Sequence, residues 1–308
     1  MIHFLNLIRW KNLVMIALVQ MLIKYALLLP FTESYGVSTT LSPLAFFLLV
    51  FSTLCIAAGG YIINDIYDIE TDKVNKPHRV IVNIHISETI AFRLFILLNV
   101  IGMGIGFYLS NGIGKSGYFV IFFMASALLY IYSSYLKHLL LVGNIVISFV
   151  VGLCVILVAI FELLPIINPS NSSIQIFFFK LVLDYAIFAF MINLIRELVK
   201  DIEDIDGDHK MGMYTIPIVL GRDRATKIAF FASLIPLFCV VYYIITNLFK
   251  QQLLVGYFLI FVVAPLIYIS IKLFSAEQKS HYKHISIVLK IVMLLGMLSM
   301  LLYAYVLK

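Results

Sequence analysis

Six aspartates stand in two groups that share one spacing: Asp65, Asp68 and Asp72 in DIYDIETD, and Asp201, Asp204 and Asp208 in DIEDIDGD. Both stretches fit D-I-x-D-I-x-x-D, and five of their eight positions are identical. At 3.6 residues per turn, offsets of 0, 3 and 7 fall within about 60° of one another, so each trio is expected on one face of a helix. Three like charges on one face repel and destabilise a helix unless cations bind there. Carboxylates completed by water and phosphate oxygens are the ligand set of Mg²⁺. Two facing trios therefore suit one or two Mg²⁺ ions that hold a diphosphate. Basic residues accompany both trios: KVNKPHR places Lys73, Lys76 and Arg79 after the first, and Arg196 and Lys200 precede the second. An arginine makes bidentate contacts with phosphate oxygens, whereas a lysine acts as a point charge. The plainer alternative is a pair of solvated loops whose aspartates pair with Lys73, Arg79 and Lys210. Two copies with one period, each following an apolar run, count against it.

The elements that must position these acids are membrane helices. Of the 308 residues, 63% are hydrophobic and only 12% charged, with a mean hydropathy of +1.06; soluble domains carry about 25% charged residues. Runs of roughly 20 apolar residues span the hydrocarbon core of a bilayer. Nine such runs occur, near 12–30, 43–63, 90–110, 117–136, 140–162, 175–196, 226–247, 253–273 and 285–306. The first is long and lacks a small-residue cleavage site, so a retained helix is expected rather than a signal peptide. Let the N-terminus lie in the cytoplasm and each run cross once. Sixteen of the 22 Lys and Arg residues then fall on the inner side or its helix ends, three (Lys115, Lys250, Lys308) on the outer side, and three within spans. This is the asymmetry of the positive-inside rule. The net charge of +6 is thus a topological signal and not a nucleic-acid footprint. The long inner connections, 64–89 and 197–225, carry the acids. The outer ones, PFTESYGVSTTLSP and ELLPIINPSNSS, hold turn residues and little else.

Other features point to packing. Cys55, Cys154 and Cys239 each lie in an apolar run without close spacing, which suits inert packing better than metal or disulfide chemistry. NGIGKSG at 111–117 contains a GKS fragment, but Leu109 stands where a phosphate loop needs glycine and no strand precedes it. GMGIG at 102–106 reads as small residues that let helices approach closely.

Asn64-Asp65-x-x-Asp68-x-x-x-Asp72, followed by NKPHR, resembles the first motif of the UbiA family of intramembrane prenyltransferases. Lys200-Asp201-x-x-Asp204-x-x-Gly207-Asp208, followed by KMGMYTIPIVLG, resembles the second. LIRWKN, with Arg9 and Asn12, is similar to the family's first-helix signature, and YIYSSYLKHLLLVGN to its fourth-to-fifth connection, so the resemblance covers nearly the whole chain. Two positions depart from the pattern: Val80 stands where a second proline often follows the arginine, and Trp10 where a proline often follows Arg9. Both bear on loop geometry and leave the acids intact.

The resemblance implies an all-α polytopic membrane protein: nine transmembrane helices around a central cavity, two pseudo-repeated acidic motifs at the inner face, and one domain over residues 1–308. It implies transfer of a prenyl group from an allylic diphosphate to a lipophilic acceptor with Mg²⁺ as cofactor. Asp65, Asp68, Asp72, Asp201, Asp204 and Asp208 would be catalytic and bind metal. Asn64, Arg79, Lys76, Lys200, Lys137, Arg9 and Asn12 would bind substrate. The partners implied are donor, acceptor and membrane lipid, with neither nucleic acid nor an obligate protein partner. RELVKDIEDIDGDHKMG is most similar to members that make archaeal-type ether lipids, whose donor is geranylgeranyl diphosphate and whose acceptor is geranylgeranylglyceryl phosphate. That acceptor's phosphate needs its own cations; Lys137, His138, Lys279, His281, Lys283 and His284 are candidates, with anionic inner-leaflet lipid as their competing partner. The alternative within the family is an aromatic acceptor in quinone or related biosynthesis. The remote alternative is a cation-coupled transporter, which would place isolated acids inside spans; only Glu162 and Asp184 lie near or within a span elsewhere.

Overall fold

The structure, a computed structural model, describes residues 2–306, the side chain of Arg79 lying outside the described set. Hydrocarbon offers backbone N–H and C=O groups no water, so an apolar chain crosses a bilayer only as helices or a closed barrel. This chain crosses as helices. Nine helical spans among the described residues are long and apolar enough: α1 (Trp10–Tyr35), α2 (Pro43–Tyr67), α3 (Glu88–Gly112), α4 (Ser116–Ser134), α5 (Val142–Ile166), α6 (Ser172–Lys210), α7 (Arg222–Leu248), α8 (Gln252–Phe274) and α9 (Lys279–Val306). They correspond one to one with the nine expected runs, and no strand occurs among the described residues beyond an isolated bridge, Val82–Ile86.

Large apolar side chains such as Phe274, Tyr242 and Phe238 are 80%, 70% and 67% exposed, as a lipid-facing wall requires. The core fills the space among α1, α2 and α5 to α9, with Phe122 and Leu129 of α4 packed into it. α6 packs on α5, α7 and α9, α2 packs on α3 and α4, and α1 joins the two groups. Gly102 and Gly106 of α3 lie against Ile56 and the Phe122 ring, so GMGIG is the close-packing stripe it was expected to be. The three cysteines are free thiols.

Two expectations need correction. The second acidic stretch is not a connection. α6 continues as one 39-residue helix to Lys210, about 58 Å at 1.5 Å per residue against a hydrocarbon core of about 30 Å, so its last turns rise out of the membrane. The connection after α1, expected to be bland, is not bland either. Lys24 of α1 pairs at 2.6 Å with Glu162 of α5, both buried, and Leu41 N donates to the same carboxylate at 3.1 Å while its carbonyl accepts from Lys24 at 2.7 Å. Gln175 adds a 2.9 Å bond to the Ser38 carbonyl. Glu162, one of the two acids a transporter could have used for cations, is thus already paired with Lys24.

Candidate active site

Asn64 and Asp65 lie on the last turn of α2, which ends at Tyr67; a short helix, Ile69–Asn75, carries Asp72. The first trio is therefore not one uninterrupted stripe. The break falls at Asp68, whose carboxylate is held by Asn64 Nδ2 at 2.6 Å and Lys137 Nζ at 2.6 Å, while the Asp72 amide still donates to the Asp68 carbonyl at 2.8 Å. The second trio keeps its stripe because α6 is continuous.

Each acid meets groups brought from elsewhere in the chain. Arg9, at the entry to α1, pairs with Asp65 at 2.8 Å and lies 5.1 Å from the Tyr61 ring centre. Lys137 sits on a single helical turn, Leu136–His138, between α4 and α5. That turn folds tightly over Gly143: a Cβ there would stand 2.8 Å from Lys137 Cα and 2.9 Å from the Leu136 carbonyl oxygen. Arg9 (φ 49°) and Leu141 (φ 61°), which bracket the two turns delivering these cations, adopt the left-handed conformation that costs non-glycine residues about 1–3 kcal/mol each. On α6, Asp201 accepts from Asn144 Nδ2 at 2.8 Å.

The two motifs are joined directly. Lys76 pairs with Asp204 at 2.5 Å. Asn75 donates to the Asp204 carbonyl at 3.0 Å and accepts from the Gly207 amide at 2.9 Å. Glycine at 207 leaves room for this clamp, since a Cβ there would overlap the Asn75 amide and displace it. Tyr132 of α4 lies within electrostatic range of Asp68, Asp201, Glu197 and Arg9, between the halves.

The solvated-loop alternative is answered by these partners. Three of the six aspartates are ion-paired, Asp65 with Arg9, Asp68 with Lys137 and Asp204 with Lys76, while Lys73 takes Glu70 at 2.6 Å. Lys200 and Arg196 share Glu197, at 2.8 and 3.2 Å, and Asn12 accepts from Lys290 at 2.5 Å. Arg79 lies on a helical turn, Pro77–Arg79, its side chain outside the described set. Among the described residues no three His, Cys, Asp or Glu side chains converge as a metal site. Yet the donor chemistry fits a hard divalent cation: Asp204 Oδ1 is buried without a hydrogen bond, and Asp72 and the buried Asp208 have neither ion pair nor hydrogen bond among the described residues. Burial, and then the negative charge of Asp68, push the Asp72 carboxyl up to about 6. Burial, and then Lys137, hold the His138 imidazole below its usual range.

Two apolar hollows lie within the bundle. The larger, about 590 Å³, is lined by α1, α5, α6 and α9, among them Met15, Val19, Tyr185, Phe188 and Met293. The smaller, about 390 Å³, lies between α2, α4 and α5, and Cys154 borders both. Asn75, Asn144, Tyr132 and Lys290 escaped sequence reasoning: Asn75 was visible inside NKPHR, but a clamp on a partner 129 residues away is not a local pattern.

A bundle of membrane-spanning helices, with paired acidic motifs at one end and apolar hollows among the helices, is the architecture of a polytopic membrane protein. The chain belongs to the UbiA prenyltransferase family, whose model matches residues 27–291. Digeranylgeranylglyceryl phosphate synthase of Sulfolobus acidocaldarius is 40% identical over 197 residues, 63% of this chain; the match spans 65% of that relative, just under two thirds of its length. A solved structure from work on digeranylgeranylglyceryl phosphate synthase in membranes superposes with a TM-score of 0.62 at 22% identity, covering 98% of this chain and 97% of that one. A UbiA homologue from Archaeoglobus fulgidus, bound to DMAPP and Mg²⁺, gives a TM-score of 0.55 at 15% identity over 96% and 98% of the two chains. These two likenesses establish the fold.

Proposed function

We propose that this integral membrane protein is one domain that transfers a prenyl group, geranylgeranyl in the reading favoured here, from an allylic diphosphate to geranylgeranylglyceryl phosphate. The observation that carries the reading is the bridge between the motifs: Lys76 on Asp204 and Asn75 across Asp204 and Gly207 hold two acidic helix ends together above apolar hollows. Such a site seats a diphosphate at the polar end and its chain in the membrane interior. The Sulfolobus relative's name and the ligands of the Archaeoglobus homologue support the same assignment. Asp65, Asp68 and Asp72 on one side, and Asp201, Asp204 and Asp208 on the other, would hold Mg²⁺, which when bound supplies counter-charge to the diphosphate.

The protein's own residues do the rest. Lys76, Lys137, Arg79 and Arg9 provide positive charge as the bond from prenyl C1 to the diphosphate oxygen breaks and the diphosphate leaves with the electron pair. The acceptor hydroxyl oxygen forms the new bond to C1, and its proton passes to the departing diphosphate. A glyceryl hydroxyl is a weak nucleophile, so holding it beside C1 matters more than a strong base. Sixteen inner against three outer basic residues support a cytoplasmic N-terminus and a cytoplasmic active site.

The test is a competition among geranylgeranylglyceryl phosphate, its dephosphorylated form and 4-hydroxybenzoate with labelled geranylgeranyl diphosphate, products being identified by mass. The phosphorylated glyceryl ether should be used first. Preference for the aromatic acid would overturn the acceptor and keep prenyl transfer.

A further inference from the structure

A second cationic group sits beside the acidic site without belonging to it. Lys290 lies eleven residues inside α9, roughly 16 Å along the helix from Lys279. A charge at that depth is costly and is kept where it serves a ligand or a partner. Its one hydrogen bond is to a neutral acceptor, Asn12 Oδ1 at 2.5 Å. Its electrostatic neighbours are cations, Arg196 of α6 and Lys11 of α1. Arg196 has a single ion pair, to Glu197 at 3.2 Å, and that carboxylate is claimed more closely by Lys200 at 2.8 Å. The Nε of Arg196 is buried and makes no hydrogen bond. Glu197 thus pairs with Lys200 and Arg196, whereas Lys290 and Lys11 have no ion pair among the described residues and one buried N–H of Arg196 has no partner. Such a group calls for an anion.

The same three helices line the larger hollow directly beneath. Met15 lies one turn from Asn12 on α1, Met293 one turn from Lys290 on α9, and Ala189 two turns from Arg196 on α6. The lining of the hollow is almost wholly apolar, as a site for a hydrocarbon chain requires. A cationic seat above an apolar hollow is complementary to an amphiphile with a compact anionic head and a hydrocarbon chain. The head cannot be the donor diphosphate carried by metal, because the sole carboxylate of the group is already engaged by Lys200 and Arg196. Arg196 precedes Asp201 by five residues, a rise of roughly 7.5 Å along α6. A three-carbon backbone bearing the head can then present its hydroxyl toward the acidic site.

We propose that Lys11, Arg196 and Lys290 form the seat for the monophosphate of the acceptor lipid, whose isoprenoid chain occupies the hollow between α1, α5, α6 and α9. This rests on the glyceryl-phosphate reading above and moves the acceptor phosphate away from the Lys279–His284 segment.

The test measures binding by the purified full-length protein without donor, so that it does not depend on turnover. Probes are geranylgeranylglyceryl phosphate, its dephosphorylated alcohol, inorganic phosphate and phosphatidylglycerol. Lys290→Met should weaken binding of the phosphorylated lipid by about ten- to a hundredfold, the effect of losing one charged hydrogen bond, and leave the alcohol unchanged. Lys290→Arg should restore most of the loss. Asp68→Asn, in the donor half, should leave acceptor binding intact. The inference fails if Lys290→Met binds the phosphorylated lipid like the unaltered protein, or loses both lipids equally without rescue by arginine. It also fails if inorganic phosphate or phosphatidylglycerol competes as well as the isoprenoid phosphate. Phosphate-dependent binding without transfer would leave this seat standing and overturn the reaction instead.

Discussion

Asp68 and Asp204 are the middle acids of their trios, yet their surroundings differ. Asp68 is saturated by Asn64 and Lys137, whereas Asp204 has Lys76 on one oxygen and nothing on the other, buried one. Removing the Asp204 charge should therefore weaken cation binding more directly. Asp204→Asn keeps size and hydrogen-bonding capacity, and should reduce Mg²⁺-dependent turnover by at least about a hundredfold while the protein extracts and melts normally. Asp72 adds a pH signature. Its native pKa of about 6 lies above the ordinary 3.8, so the folded protein holds this proton more tightly than the unfolded chain does. That contribution to stability is present below about pH 4 and is lost as pH rises through 6. A divalent cation offsets the cost of the partly buried charge, so the thermal shift given by Mg²⁺ should be small at pH 5 and grow through pH 6. Asp72→Asn should flatten this dependence. The acids themselves were legible in the sequence because charge repeated with one period beside apolar runs is rare. Their partners Lys137, Asn144 and Arg9 reach them across 69, 57 and 56 residues, distances at which no spacing rule operates.

At the scale of elements, the site depends on one seam, where the helix Ile69–Asn75 lies against the last turns of α6. Asn75 closes that seam with two hydrogen bonds at 3.0 and 2.9 Å, and Gly207 leaves room for its amide. Gly207→Ala forces the amide out, and Asn75→Ala leaves the Gly207 N–H and the Asp204 carbonyl without this partner, a cost of about 1–3 kcal/mol. Either change should lower turnover by at least about tenfold with all six aspartates present, and should raise hydrogen exchange in residues 69–79 and 201–212. Unchanged exchange would mean that the seam is held by other contacts. Apolar run length located the nine spans, but it put the end of α6 near residue 196. Hydropathy falls where the helix leaves the membrane, not where its backbone hydrogen bonds stop, and the helix runs on to Lys210.

For the whole molecule, the arrangement places charged chemistry at one end of a helical bundle and hydrocarbon space below it. On this account the ends of α2 and α6 that carry the acids face the cytoplasm. Single cysteines at Ser280 and Ser172, introduced after replacing Cys55, Cys154 and Cys239, should label from opposite sides of the membrane, Ser280 from within. The central claim is metal-dependent prenyl transfer between two membrane lipids, and the most direct measurement is product mass. Purified protein incubated with labelled geranylgeranyl diphosphate and geranylgeranylglyceryl phosphate should yield the doubly prenylated glyceryl phosphate with Mg²⁺. The product should vanish in EDTA and in Asp204→Asn. Full product formation in EDTA, or no prenylated product from any lipophilic acceptor with Mg²⁺ present, would contradict the account.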